Sequence, residues 1–164
     1  SEHSVIAIDC ETNSLSAKSA DLIGISLSFK EGVACYVPLR HSNDSNVNEP
    51  DFISSNSSSF EQIQFNDAIS LIKPLLENSS ILKVGHNIKF DALVMRQAKN
   101  GNIILDPIAD TMCISYVLDA GRVDNHKLDS LALRELQHET IKFEEICAVA
   151  KADFDVQIPT EVLA

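Results

Sequence analysis

No run of apolar residues in this 164-residue chain approaches the ~20 that cross a bilayer, so a membrane-spanning helix is not expected. The opening stretch SEHSVIAID also lacks the basic-then-apolar layout of a signal peptide, which makes the cytoplasm the expected location. Cys10, Cys35, Cys113 and Cys147 are scattered without a CxxC pair. That spacing excludes a disulfide framework or structural zinc site as the organising device and suits reduced thiols. His3, His41, His86, His126 and His138 show no metal-ligand spacing, and no internal repeat is visible. Positive charge is scarce: 13 Lys and Arg stand against 24 Asp and Glu, for a net charge of −11. Such a balance opposes phosphate binding through basic side chains. Clustered carboxylates that hold divalent cations reverse the local sign, however, so an acidic site can still accept phosphate.

What is present is ordinary globular material, 45% apolar and 23% charged, in a length that suits one domain with a full core. Residues 4–9 read as a buried strand, DLIGISLSF (21–29) as a second and GVACYVPL (32–39) as a third, the last two joined by a hairpin at Lys30-Glu31-Gly32. The Ser- and Asn-rich stretch 41–60 reads as a flexible surface insertion too polar to pack. From Asn66 the apolar spacing turns helical through Ala68, Ile69, Ile72, Leu75 and Leu76, with Pro74 expected to kink or shorten the helix. ILKVG (81–85) reads as a strand. A helix capped by Asn87 is expected next, running to Gly101 with Phe90, Leu93, Val94 and Ala98 inward. IILD (103–106) reads as a further strand, and helical patterns follow at 110–119, 129–138 and 143–150, with Asp110 and Asp129 as N-caps. A meander followed by alternating helices and strands predicts a mixed α/β sheet flanked by helices, antiparallel first and parallel later, with the first strand near its middle.

That first strand ends in VIAIDCETNSL, where Asp9 and Glu11 stand two residues apart and therefore share a face. Each raises the other's pKa unless a cation lies between them. In VGHNIKFDALVM (84–95), Asn87 and Asp91 are four apart on one helical face, reached directly from strand 81–85. If that strand lies beside the first, three carboxylates from two distant segments converge. Hard oxygen ligands of this kind suit Mg²⁺ or Mn²⁺. Two such ions can ionise a water and steady the leaving oxygen of a phosphodiester. Each part alone also has a bland reading: Asp9-Cys10-Glu11-Thr12 as a solvated strand end, Asp91 as a complement to a helix dipole, Asn87 as a cap.

Four blocks in order, IAIDCETNSL, IKPLLENSSILKVGHNIKFD, DTMCISYVLDAGR with LDSLALREL, and HETIKFEEI, make the sequence similar to the proofreading 3′→5′ exonuclease domains of bacterial DNA polymerase I. These belong to the DEDD exonuclease superfamily and have an RNase H-like fold. The resemblance spans nearly all of the chain. It implies that Asp9, Glu11 and Asp91 are the catalytic, metal-binding acids. Asp9 would bridge two ions, Glu11 would serve the ion that activates water, and Asp91 the ion beside the leaving group. It further implies that Thr12, Leu15, Asn87 and Phe143 hold the 3′-terminal nucleotides, Leu15 as a wedge and Phe143 packed on a base. Arg122 aligns with a phosphate contact, beside four extra residues. Leu15 and Phe143 also have the ordinary reading of core apolar residues.

The implied partners are 3′ ends of single-stranded or frayed DNA and the polymerase domain of a longer parent, with a monomer expected. The family's third motif, Tyr-x-x-x-Asp, is not found by Ala164, and neither Tyr36 nor Tyr116 has a fitting context. Residues 1–164 are therefore read as an exonuclease domain incomplete at its C-terminal end, weak or inactive alone. An RNase D-like RNA exonuclease and a non-catalytic remnant of the same domain are the alternatives; the persistence of three acids weighs against the latter. A phosphatase of the D-x-D-x-T type fits less well, because position 11 is Glu.

Overall fold

The computed structural model describes residues 4–41, 62–122 and 125–141. Nearly all of the expected surface insertion, the expected helix 143–150 and Phe143 lie outside these residues. Strands β1 (Ser4–Thr12), β2 (Leu22–Lys30) and β3 (Val33–Pro38) come first, followed by helix α1 (Phe65–Leu76) and strand β4 (Ile81–Gly85). Helix α2 (Ile88–Met95), strand β5 (Ile108–Asp110) and helices α3 (Thr111–Leu118) and α4 (Leu128–Leu136) complete the described elements.

The five strands form one sheet in the order β3-β2-β1-β4-β5. The short turn after Lys30, with Gly32 at φ 72°, makes β2 and β3 antiparallel neighbours. The α1 crossover returns the chain parallel to β1, and β5 is parallel to β4. β1 is therefore central, as the alternation of elements predicts.

Alternation along β1 sends Ile6, Ile8 and Cys10 into the core, where they meet Ile25 and Leu27 of β2. Ala68, Ile69, Ile72 and Leu76 of α1 and Ile88, Val94 and Met95 of α2 complete that layer. Each Ile, Leu, Val or Met among them contributes about 1.5–3 kcal/mol when fully buried. On the other face of β1, Val5, Ala7 and Asp9 are exposed.

Three local expectations change. The predicted helix 87–101 ends at Met95, and a short 3-10 turn (Ala98–Asn100) follows. Asn100 is fully buried, and its amide donates to Ala20 O and Val94 O while its oxygen accepts from Leu22 N, which fixes the chain in this break. The inward stripe also rotates: Ile88, Asp91, Val94 and Met95 are buried, whereas Leu93 and Ala98 are exposed. Asp91 faces inward and sets that phase.

The expected strand 103–106 is not a strand; pairing with β4 begins later, in β5. Ile103 and Leu105 are buried like alternate strand residues, yet Ile103 N–H donates to Met95 O and Ile104 N–H to Glu77 Oε1, so no ladder forms. Of the two expected N-caps, Asp110 accepts from Met112 N at 2.9 Å, whereas Asp129 lies inside the first turn of α4 and accepts from Thr140 Oγ1. Pro74 lies in the last turn of α1, which ends two residues later.

Candidate active site

Asp9 and Glu11 project from the same face at the C-terminal end of β1. β4 runs parallel beside β1 and leads through Gly85, His86 and Asn87 into α2, so the first turn of α2 lies at the same end of the sheet. The decisive contact is that Asp91 Oδ1 accepts the backbone N–H of Cys10 at 2.9 Å. Cys10 stands between the other two acids, and so residues 81 positions apart in sequence meet. Asp91 is 3% exposed.

The electrostatics of the three groups show strain of one sign. Burial raises the Asp91 carboxyl to about 6, with the charge of Asp9 adding to it and the Cys10 N–H pulling down. Burial likewise raises Glu11, helped by Asp9 and Asp91. Asp9 is raised by the protein around it even though it is exposed, with the Cys10 N–H and the nearby His86 ring acting the other way. Cys10 itself is buried and pushed well above the usual thiol range by burial and the surrounding acids, which leaves it an inert thiol. No Lys or Arg makes an ion pair with any of the three acids among the described residues. As the side chains stand, no group of three or more His, Cys, Asp or Glu among the described residues is set to hold a metal ion. The acids are brought to one end of the sheet without being drawn into a cage, and one Asp91 oxygen is taken by Cys10 N–H.

The remaining sequence candidates lie around this end to differing degrees. Thr12 closes β1, and its hydroxyl donates to Ser14 O. The loop that follows is pinned at its base, Asn13 Nδ2 donating to Asp21 Oδ2 and Asp21 N to Asn13 Oδ1, and it presents Leu15 at 81% exposure. Leu15 is therefore not a core residue. Asn87 precedes α2 but does not cap it: its backbone is left-handed (φ 61°), its side chain makes no cap bond, and its N–H donates to Asp110 Oδ1. The side chain is left exposed. Arg122 lies in the turn after α3, its N–H on Asp119 O and its side chain exposed, with no recorded bond to the three acids.

His86 is a residue that sequence spacing passed over. Its Nδ1 is 3.0 Å from Thr111 Oγ1, whose hydroxyl donates to Gly85 O. Because the Thr111 hydroxyl proton goes to Gly85 O, Nδ1–H of His86 is the donor to Thr111. Nε2 is buried without a hydrogen-bond partner among the described residues. Its place at the end of a parallel strand, immediately before the helix that carries an acid, was the available signal.

The model of the 3′-5′ exonuclease family matches residues 1–161. The chain belongs to this exonuclease family. Among curated relatives, DNA polymerase I of Pseudomonas aeruginosa is 40% identical over 145 residues, covering 88% of this chain and 14% of the relative. DNA polymerase I of Rhizobium leguminosarum is 36% identical over 158 residues, covering 91% of this chain and 15% of the relative. The exonuclease chain thus spans about one seventh of the length of these polymerases. Solved structures agree on the fold. Brucella melitensis NrnC with bound Mg²⁺ superposes with a TM-score of 0.62 at 19% identity, over 98% of this chain and 64% of that one. Escherichia coli RNase D gives 0.61 at 18% identity, over 96% of this chain and 33% of that one. The RNase H-like exonuclease fold expected from the sequence is the fold observed, and the chain is a hydrolytic 3′-5′ exonuclease domain.

Proposed function

We propose that the chain removes mispaired 3′-terminal nucleotides from single-stranded or frayed DNA, releasing 5′-monophosphates, as the proofreading part of a DNA polymerase I in the cytoplasm. The observation that carries this reading is the meeting of Asp91 with the peptide between Asp9 and Glu11. The donor set fits Mg²⁺ or Mn²⁺: three carboxylates, each with a raised pKa and none in an ion pair with Lys or Arg among the described residues. Asp9, Glu11 and Asp91 would hold the ions; bound there, such ions would supply Lewis acidity for phosphodiester hydrolysis.

The chain's own residues supply the rest. Their negative charge at the end of β1 makes a site that accepts phosphate only once divalent cations have been recruited. Leu15, projecting from its pinned loop, is suited to wedge against the last bases, a contact tolerant of sequence. Thr12 and Asn87 flank the acids and would bond the terminal nucleotide. His86 Nε2, buried and without a partner among the described residues, lies near Asp9. Phe143 and Arg122 are assigned to base packing and phosphate contact by resemblance.

The test uses the longer polymerase that carries this chain, with Mg²⁺ and 5′-labelled single-stranded DNA. Wild type should shorten the strand from its 3′ end, and Asp9→Ala should abolish shortening. Cleavage that survives Asp9→Ala, or that is faster on RNA than on DNA, contradicts the proposal.

A further inference from the structure

Gly24 lies inside β2 with an ordinary strand backbone, so conformational freedom does not explain a glycine there. Space does. A Cβ on Gly24 would stand 2.0 Å from Tyr36 Oη and 2.3 Å from its Cζ. Glycine inside a strand marks a close approach, and here the visitor is the phenol of β3.

The room occupied by that phenol adjoins the acids. Gly24 is the cross-strand partner of Glu11, and Cβ positions of such partners are about 4.5–5.5 Å apart. A hydroxyl that fills the place of the missing Gly24 Cβ is therefore within reach of the Glu11 carboxylate. Tyr36 is also held from its far side. Its Oη is 2.5 Å from His41 Nε2, and the two rings meet edge to face with centroids 5.6 Å apart. His41 is in turn clamped by Gln62, which accepts from His41 N at 2.9 Å and donates to His41 O at 2.7 Å.

The direction of the bonds follows from charge. Burial lowers the His41 pKa, so a neutral imidazole faces the phenol. If Tyr36 donated to Nε2, its oxygen lone pairs would face the Glu11 carboxylate. If Nε2–H donates to Tyr36, the phenol proton is left for Glu11, which the negative charge favours. As the side chains stand, Tyr36 Oη bonds His41 Nε2 and not Glu11. We propose that Tyr36, held by His41 and admitted by Gly24, is a positioning residue that donates a hydrogen bond to the Glu11 carboxylate as it turns to its ligand, and so fixes how the two meet. This rests on the function proposed above.

Tyr36→Phe in the full-length polymerase keeps the ring over Gly24 and removes only the hydroxyl. Mn²⁺ affinity read by electron paramagnetic resonance should fall about fivefold and kcat per folded molecule about tenfold, with KM for a single-stranded oligonucleotide within about twofold. His41→Ala should give a similar loss and His41→Gln, which keeps a donor, a smaller one. In a Glu11→Gln background, Tyr36→Phe should leave Mn²⁺ affinity unchanged, which a purely structural role for the ring pair would not produce. Wild-type affinity and kcat in Tyr36→Phe, or a loss that persists with Glu11→Gln, overturns the inference alone. A wild type that neither binds Mn²⁺ nor cleaves DNA overturns the proposed function, and the inference falls with it.

Discussion

Two buried charges lie eight positions apart in the chain and are treated in opposite ways. Lys83 of β4 is fully buried, and its ammonium donates to Asn78 O, Ile81 O and Asp106 O at 2.9, 2.8 and 2.5 Å. All three of its protons are taken. Asp91 of α2 is almost as deeply buried, but its partners are the N–H and thiol of Cys10 and its own N–H, no Lys or Arg pairs with it among the described residues, and its charged neighbours are two more acids. The cation is satisfied and ties the β4 strand to the 102–107 crossing; the anion is left needing positive charge. A buried ion with a full set of partners serves the fold, and one surrounded by its own sign points to a ligand.

The comparison breaks first at Asp91. Asp91→Asn keeps an oxygen for Cys10 N–H and removes the charge, so cleavage by the full-length protein should fall on the order of a thousandfold, as expected when several kcal/mol of electrostatic catalysis are lost. The same variant should be more stable than wild type in EDTA at pH 7, by about 1 kcal/mol, because a repelled charge has gone. Wild-type rates, or a loss of stability, would put Asp91 in the class of Lys83.

Lys83 should behave in reverse. Lys83→Met removes three part-buried hydrogen bonds and the buried charge that makes them, and should lower stability by about 2 kcal/mol in denaturant melts. The molecules that remain folded should cleave at the wild-type rate.

A smaller effect sharpens the contrast by pH. The Asp91 carboxyl is raised to about 6 from an ordinary 3.8, so between those values the folded state binds more protons than the unfolded one. The stability of the metal-free protein should therefore rise as pH falls from 7 towards 5, by about 1–2 kcal/mol, with Asp9 and Glu11 acting in the same direction. A saturating divalent cation should flatten that slope, and thermal melts with EDTA or Mg²⁺ read both.

Much of this arrangement was legible in the residues themselves. The two-residue spacing of Asp9 and Glu11, the short turn at Gly32 and the helical segment between the strands were enough to place β1 centrally and the third acid beside it. What escaped was settled by single side chains reaching across the sequence. Asn100 ends the α2 region by bonding Ala20 and Leu22, and a local helical pattern contains no trace of partners eighty residues away. Asn87 looks like a cap by type, yet Asp110 holds its N–H and its backbone turns left-handed. Gly24 interrupts an apolar alternation without explanation until Tyr36 is seen above it.

The central claim, that the acids of β1 and α2 jointly hold divalent cations, is tested most directly by anomalous scattering from crystals of the full-length protein soaked in Mn²⁺. The account predicts manganese peaks in contact with the carboxyl oxygens of Asp9, Glu11 and Asp91, lost in Asp9→Ala. Manganese bound elsewhere on this domain, with those three carboxylates touching none of it, would contradict it.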